Sequence, residues 1–534
     1  MLRVLANHTK SPSKKVILVT IAFAIWLVFL WRAVHVFAPD TMLGTFSSDA
    51  AIPVLMADEN RPITLFNLYY YGAGRWGAWP FLFGQIVRRA TGYRWTDHSL
   101  FIVQAIWVFA GAIVMAGMTT GARLPVGLIY LLTICLNGAV AHRLFDLSQV
   151  YAWQITGLLL AWYCLRRFFT KKDISGLRRG GWAFLTFWFS FLSIWSSFAS
   201  TPILFFLLGL EGLRGYLTSK KERAGKVPLR AHLWATGLVI GAAFAELLMR
   251  WDYYRHNLKH YGSDYRTQLT FDLGYLTQNL ERQLQNLVKY PWWPYYLLAL
   301  LFLFACAFAY SSAGKKNRSF AKFREAFVDD SSILIIGSVG IAVINFVLIV
   351  IADHVRLNFY DDRFMTPTYL FGSVSGLLTI FLILKVTKNL SSFGKYVEAA
   401  FILAGLLWLT FEFPPQTYSP FYKTFKETAA TLEERAPRAV LMGSYWQTYV
   451  FSALESDNAL IPVPLEGQHV RTPWTPEALR QATSVIVEYH DSNFGTADSL
   501  PQNFSQYGNS LRLVEPRWYE NHQYSFALYV KENR

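Results

Sequence analysis

Cysteine is nearly missing from this chain: three residues in 534, Cys135, Cys164 and Cys306, each inside an apolar run. Cysteines so few and so placed exclude a disulfide-braced exterior and read as space-filling side chains. Charge is scarce as well. Only 16% of residues are charged while 53% are hydrophobic, and with a mean hydropathy of +0.25 this excludes a water-soluble globule. No glycine-rich phosphate fingerprint and no zinc-ligand spacing occurs anywhere. After residue 412 the long apolar runs stop.

Up to that point apolar runs of about 17–22 residues recur, each long enough for a hydrocarbon core about 30 Å thick. The expected spans are 17–37, 99–118, 124–141, 149–165, 181–195, 198–213, 232–249, 294–311, 332–351, 367–385 and 396–412. The pair 181–195 and 198–213 reads as two short crossings turned at Trp195-Ser196-Ser197, with one broken helix as the alternative. The run Val16–Val36 follows a basic flank and ends without a small-residue cleavage pattern, so it is expected to remain as the first span.

The net charge of +15 is unevenly placed. Alternate connections collect Arg166, Arg167, Lys171, Lys172, Arg178 and Arg179, then Arg214, Lys220, Lys221, Arg223, Lys226 and Arg230. The other connections hold Asp40, Asp49, Asp58, Glu59, Asp97, Asp146, Asp252, Asp353, Asp361 and Asp362. Basic residues on one side of the spans set orientation against anionic lipid, which excludes nucleic acid as the partner. The expected location is a plasma membrane, the bacterial inner membrane, with the N-terminus cytoplasmic and the C-terminal domain periplasmic or external.

The predicted fold class is mainly α: a polytopic helical membrane domain over 1–415, with about eleven spans, followed by a small external α/β domain over 416–534. Two long outer loops, 38–98 and 250–293, interrupt the spans. Segment 64–90 is expected to form one or two helices along the outer interface. In the second loop Leu269, Leu273, Leu276, Leu280 and Leu284 recur at helical steps and are expected to roof an outer cavity. Beyond the last span, 421–436, 444–454 and 475–483 read as helices and 439–443 and 484–489 as short strands. Antiparallel strands are expected within 510–530.

Two constellations carry chemistry. Asp49, in Phe46-Ser47-Ser48-Asp49-Ala50-Ala51-Ile52-Pro53, stands at the start of a potential helix that Ser47 or Ser48 would cap. A carboxylate there suits a base that removes a proton from an acceptor. Asp58, beside Glu59-Asn60-Arg61, is the alternative catalytic carboxylate. The second constellation runs from His354 through Arg356 to Arg363-Phe364 and Tyr369. Arg363, where a helix re-enters lipid, has the donors for a lipid phosphate, with Arg356 and His354 as further phosphate contacts. Phe364 and Tyr369 would meet the apolar chain, and Arg75 and Trp76, flanked by glycines, are further substrate or lipid contacts.

Together these features resemble the GT-C superfamily of integral-membrane glycosyltransferases, over roughly 16–412. Asp49 lies in the long loop after the first span, where such enzymes hold the acceptor-activating carboxylate. Arg75-Trp76-Gly77-Ala78-Trp79-Pro80-Phe81 looks like the region that opens their next conserved helix. Arg363-Phe364-Met365-Thr366-Pro367 is similar to their Arg-Tyr/Phe-x-x-Pro element, whose arginine binds donor phosphate. The resemblance implies an inverting transfer of a sugar from a polyprenyl-phosphate donor to an envelope glycan, lipid or protein acceptor, with membrane lipids as the surroundings. Asp49 is followed by Ala50 rather than by a second acid, and the acidic pair Asp58-Glu59 stands nine residues on. No cofactor is required by the residues, and a divalent metal is left open. Two competing readings remain: a lipid or glycan transporter or flippase, and a noncatalytic envelope-assembly protein.

Overall fold

The structure, a computed structural model, describes residues 12–41, 46–60, 62–70, 77–119, 123–170, 176–221, 229–261, 269–289, 293–294, 296–298, 300–301, 330–353, 355, 358–386, 419–454, 460–466, 472, 474–489, 496–521 and 523–532. The expected spans 294–311 and 396–412 lie partly or wholly outside these residues. Four described helices are both long and apolar enough to cross a bilayer: Asp97–Gly117, Arg230–His256, Asp330–Ile351 and Asp362–Leu382. The chain is a helical membrane protein.

The first helix, α1 (Pro12–Phe37), leads to the short α2 (Ser48–Ala57) and the amphipathic α3 (Trp79–Thr91). Then come α4 (Asp97–Gly117), α5 (Arg123–Leu136) and α6 (Gly138–Phe145). Segment 124–141 was expected to be one span; within it Val126–Ile134 and Gly138–Phe145 meet at 87°. The local cause is Asn137, whose side chain accepts the Val140 amide at 3.2 Å and so starts a new helix at Gly138. The next helices are α7 (Tyr151–Thr170), α8 (Gly176–Ser196), α9 (Ser200–Lys221) and α10 (Leu229–Tyr261). Segments 181–195 and 198–213 thus belong to two separate helices. Ser193 and Ser200 fasten their junction, Oγ to Oγ at 3.0 Å.

The second loop holds α11 (Leu273–Lys289), and the bundle continues with α12 (Asp330–Ile351) and α13 (Thr366–Val386). Here the leucine expectation holds only at Leu284, which lines an apolar cavity. Leu269, Leu273, Leu280 and Leu284 are exposed, while Tyr275, Asn279 and Gln283 are buried. Asn279 donates to the carbonyls of Ile349 and Val350 at 3.0 and 2.6 Å, and the Tyr275 hydroxyl donates to Ala352 O at 2.7 Å. The end of α12 leaves carbonyls without helical partners, and the polar face of α11 satisfies them. Helix packing elsewhere is close. A Cβ at Gly337 would lie 2.2 Å from the Trp162 ring, and one at Gly340 2.0 Å from the Phe206 ring.

Buried charges are paired. Glu211, fully buried, accepts Trp162 Nε1 at 2.8 Å and lies 3.3 Å from Arg214, and Asp330 bonds both Arg166 and Arg214. This cluster joins α7, α9 and α12 at one end of the bundle. Toward the other end, Glu246 of α10 pairs with Arg250 at 2.6 Å and accepts the Tyr69 hydroxyl at 3.2 Å.

At that second end sits the C-terminal domain: α14 (Pro420–Arg435), β1 (Val440–Gly443), α15 (Tyr445–Leu454), β2 (Ile461–Pro464), α16 (Thr475–Gln481), β3 (Ser484–Glu488), β4 (Asn503–Gln506), β5 (Asn509–Glu520) and β6 (Ser525–Lys531). Its sheet has the order β2-β1-β3-β6-β5-β4, parallel across β2, β1 and β3 and antiparallel beyond. The short strands β2 and β4 were not expected. The apolar core runs without a break from the helical bundle into α14 and α15. Polar seams reinforce it: Ser419 N donates to Asp40 O at 2.8 Å, and the Tyr422 hydroxyl donates to Asp97 at 2.5 Å.

Candidate functional site

Asp49 occupies the first turn of α2, whose N-cap Ser47 accepts the Ala50 amide at 3.3 Å. The turn exposes unpaired amides and places a partial positive charge beside the carboxylate. Two tyrosines hold the residue from opposite directions. The Tyr70 hydroxyl donates to the Asp49 carbonyl at 2.6 Å, and the Tyr445 hydroxyl, at the head of α15, donates to Oδ1 at 2.5 Å. Asp49 is half-buried, and its Oδ2 has no hydrogen bond among the described residues. One oxygen is held and one is open.

Asp58 is differently used. Its side chain is 3% exposed, lies 3.2 Å from Arg88 Nε of α3, and accepts the Trp95 amide at 2.9 Å. The carboxylate therefore ties α2, α3 and the approach to α4 together. Of the two acids, Asp49 is the accessible one.

Arg363 sits in a single 3-10 turn before α13, Asp362–Met365, started by Asp361, whose carboxylate accepts the Arg363 amide at 2.8 Å. Asn345 of α12 holds this turn by donating to Phe364 O at 3.2 Å and to Thr368 Oγ1 at 3.0 Å. The guanidinium donates from Nη2 to Asn358 at 2.7 Å, lies 3.6 Å from Asp361, and stands 5.0 Å from the Phe364 ring centre. Its Nη1 has no partner among the described residues. Asp362 is met by Arg143 of α6 at 3.1 Å and by Lys289 of α11 at 3.3 Å. Arg363, Arg143 and Lys289 thus gather around Asp361 and Asp362. Tyr369 is 2% exposed and donates to Asn286 O at 3.0 Å, so it binds α11 to α13.

Arg75, Trp76, His354 and Arg356 lie outside the described residues. Tyr69 and Gly77 form an isolated antiparallel bridge. A Cβ at Gly77 would lie 2.3 Å from the Trp195 carbonyl, so glycine is required there. Just before Arg363, Phe359 and Tyr360 adopt φ of 54° and 57°, a conformation that costs a non-glycine residue about 1–3 kcal/mol. Phe359 is also 93% exposed. Sequence reasoning missed Lys289 and Tyr445 as site members. Only the long-range fold brings them there, and no local pattern marks them.

An apolar cavity of about 210 Å³ begins at Thr368, in the first turn of α13, and is lined by Leu284, Leu287, Leu300, Val343, Phe346 and Gly372. Leu284 and Leu287 belong to the last turns of α11, next to Lys289. The acidic half of the site and the basic half share a mount in α4. Asp97 at its start joins the C-terminal domain, and Gln104, two turns deeper, donates to the carbonyls of Leu144 and Asp146 that close α6. Asp146 itself is half-buried, and desolvation raises its carboxyl above the ordinary carboxylate range. Among the described residues no three His, Cys, Asp or Glu side chains converge to hold a metal ion.

No family model matches the chain, and no curated protein matches it. Solved structures do resemble it. One is the crystal structure of ArnT from Cupriavidus metallidurans bound to undecaprenyl phosphate, with 12% identity, a TM-score of 0.47, and coverage of 97% of this chain and 98% of that one. Another is the same protein in the apo state, with 10% identity, a TM-score of 0.39 and 98% of each chain covered. A third is the Archaeoglobus fulgidus oligosaccharyltransferase in the apo form, with 12% identity, a TM-score of 0.38, and 87% and 69% covered. At TM-scores below 0.5 these likenesses assign no residue and no reaction.

Proposed function

We propose that the chain is a GT-C-type inverting glycosyltransferase that moves a sugar from a polyprenyl-phosphate donor to an acceptor at the external face of a bacterial inner membrane. One observation carries the reading. The same end of the bundle holds a carboxylate with one uncommitted oxygen, and an arginine with an uncommitted Nη1 five residues before Thr368, which lines an apolar cavity.

In this reading the prenyl chain lies along the cavity and its phosphate meets Arg363, with Lys289 and Arg143 adding positive potential. The acceptor oxygen attacks the anomeric carbon as the bond from that carbon to the phosphate oxygen breaks. The bonding pair leaves with the lipid phosphate, and the guanidinium stabilises the charge that develops there. The acceptor proton passes to Asp49 Oδ2. A single displacement inverts the anomeric centre. Transport is less well supported, because the buried carboxylates Glu211 and Glu246 are each paired with an arginine rather than presented to a pathway.

The test combines two measurements. Mass spectrometry of envelope lipids and glycans, with and without the protein, should reveal one glycosylated product that is lost on deletion. Purified protein given a polyprenyl-phosphate sugar and that product's acceptor should restore it. Deletion without any change in glycosylation would overturn the reading.

A further inference from the structure

We propose that Tyr445 is a positioning residue for the acid–base step, so that the C-terminal domain supplies part of the reaction centre rather than a separate binding function. The inference rests on the reading of Asp49 as the base. Tyr445 opens α15, and α15 packs directly on α2, the helix that carries Asp49. Its hydroxyl crosses that seam to Asp49 Oδ1 at 2.5 Å. The two residues are 396 positions apart, so only the docked domain can make the bond.

The tyrosine is itself fixed. It is 5% exposed, and its ring lies 5.1 Å from Trp446 and 5.4 Å from Tyr449, both edge-on. The Tyr449 hydroxyl in turn accepts the Thr472 amide at 3.1 Å. A donor held on a rigid helix stops the carboxylate from rotating, because exchanging its oxygens would break the bond. Oδ1 is occupied and Oδ2 is left to face an acceptor. The Tyr70 bond to the Asp49 carbonyl fixes the backbone from the other side.

Three ionisable groups on the elements around α2 are committed elsewhere. Arg88 of α3 serves Asp58 at the far end of α2. On α4, His98 bonds Asp97 and lies 3.2 Å from Asp40, and Asp97 accepts from Tyr422. Tyr445 is the one described side chain that bonds the Asp49 carboxylate.

The experiment is a double-mutant cycle on the full-length purified protein, with turnover, donor KM and Tm measured for each variant. Tyr445→Phe keeps the ring contacts and removes the donor. We expect kcat to fall about 10-fold with donor KM and Tm unchanged. In the Asp49→Asn background the same change should cost less than about 2-fold, because the residue it positions has already lost its role. Equal losses in both backgrounds, or an unchanged kcat for Tyr445→Phe, would overturn the positioning role while leaving Asp49 as the base. Full turnover by Asp49→Asn would overturn the base and this inference together. If Tyr445→Phe folds poorly, 3-fluorotyrosine at 445 keeps the hydroxyl and changes only its donor strength. A change in kcat of about 2-fold or more at constant KM then supports the role, and an unchanged kcat overturns it.

Discussion

At the scale of single residues, Asp49 and Asp58 separate by environment. Asp49→Asn keeps the shape and the bond from Tyr445 but removes the basic charge, so turnover should fall at least ~10²-fold while donor KM holds. Steady-state kinetics check both numbers, and normal turnover would remove Asp49 from the mechanism. Asp58→Asn should act on stability instead. It breaks a buried pair with Arg88, at a cost of about 3 kcal/mol, and should appear as a lower Tm with the remaining folded protein active. Selective loss of turnover with an unchanged Tm would reverse the two roles. Arg363→Ala should weaken donor use by roughly 10–100-fold, since a charge-assisted hydrogen bond contributes about 1.5–3 kcal/mol. Arg363→Lys should recover only part, because the planar fork that meets Asn358 and leaves Nη1 open has no counterpart in an ammonium. Equal donor KM in both variants and the parent would rule out the phosphate contact.

At the scale of elements, α11 is the instructive case. Its leucine spacing was legible, and it correctly marks an amphipathic helix with one apolar stripe. Which way the stripe faces was not legible, because in a membrane protein the surroundings are as apolar as the core. Lipid can accept leucine, whereas the carbonyl-rich end of α12 needs polar partners, and Tyr275 and Asn279 supply them. Asn279→Leu should therefore destabilise by about 1–3 kcal/mol despite raising hydrophobicity, a loss read as a lower Tm in detergent. Leu280→Ser, on the exposed stripe, should leave Tm in detergent nearly unchanged. The reverse ranking would mean that the leucines face the core. The bend at Asn137 follows the same logic. The apolar run 124–141 suggests one span by composition, while a single capping side chain redirects the chain through 87°.

At the scale of the whole molecule, the fold draws both candidate half-sites to the end of the bundle where the sheet domain docks, and the buried Arg166–Glu211–Arg214–Asp330 cluster to the other. The charge asymmetry of the connections predicts that the docking end is external. Single cysteines at Arg178, before the apolar part of α8, and at Glu515, on β5, are both at exposed positions. In intact cells an impermeant thiol reagent should label Glu515→Cys and spare Arg178→Cys until the membrane is opened. Equal labelling of the two before opening would sink that orientation.

Hydropathy runs and basic connections belong to the sequence by itself. They determined a helical membrane protein and the small α/β domain after the last apolar run, and favoured separate helices on either side of residues 197–199 over one broken helix. They also singled out Asp49 and Arg363, because a capped helix start and an arginine at a helix entry are local patterns. The tertiary structure alone decided which acid is open and which is locked to Arg88, which face of α11 is buried, and that Lys289 and Tyr445 join the site. Those are questions of what lies opposite a side chain. Contacts such as Tyr445 to Asp49, 396 residues apart, leave no periodicity or spacing in the chain that makes them.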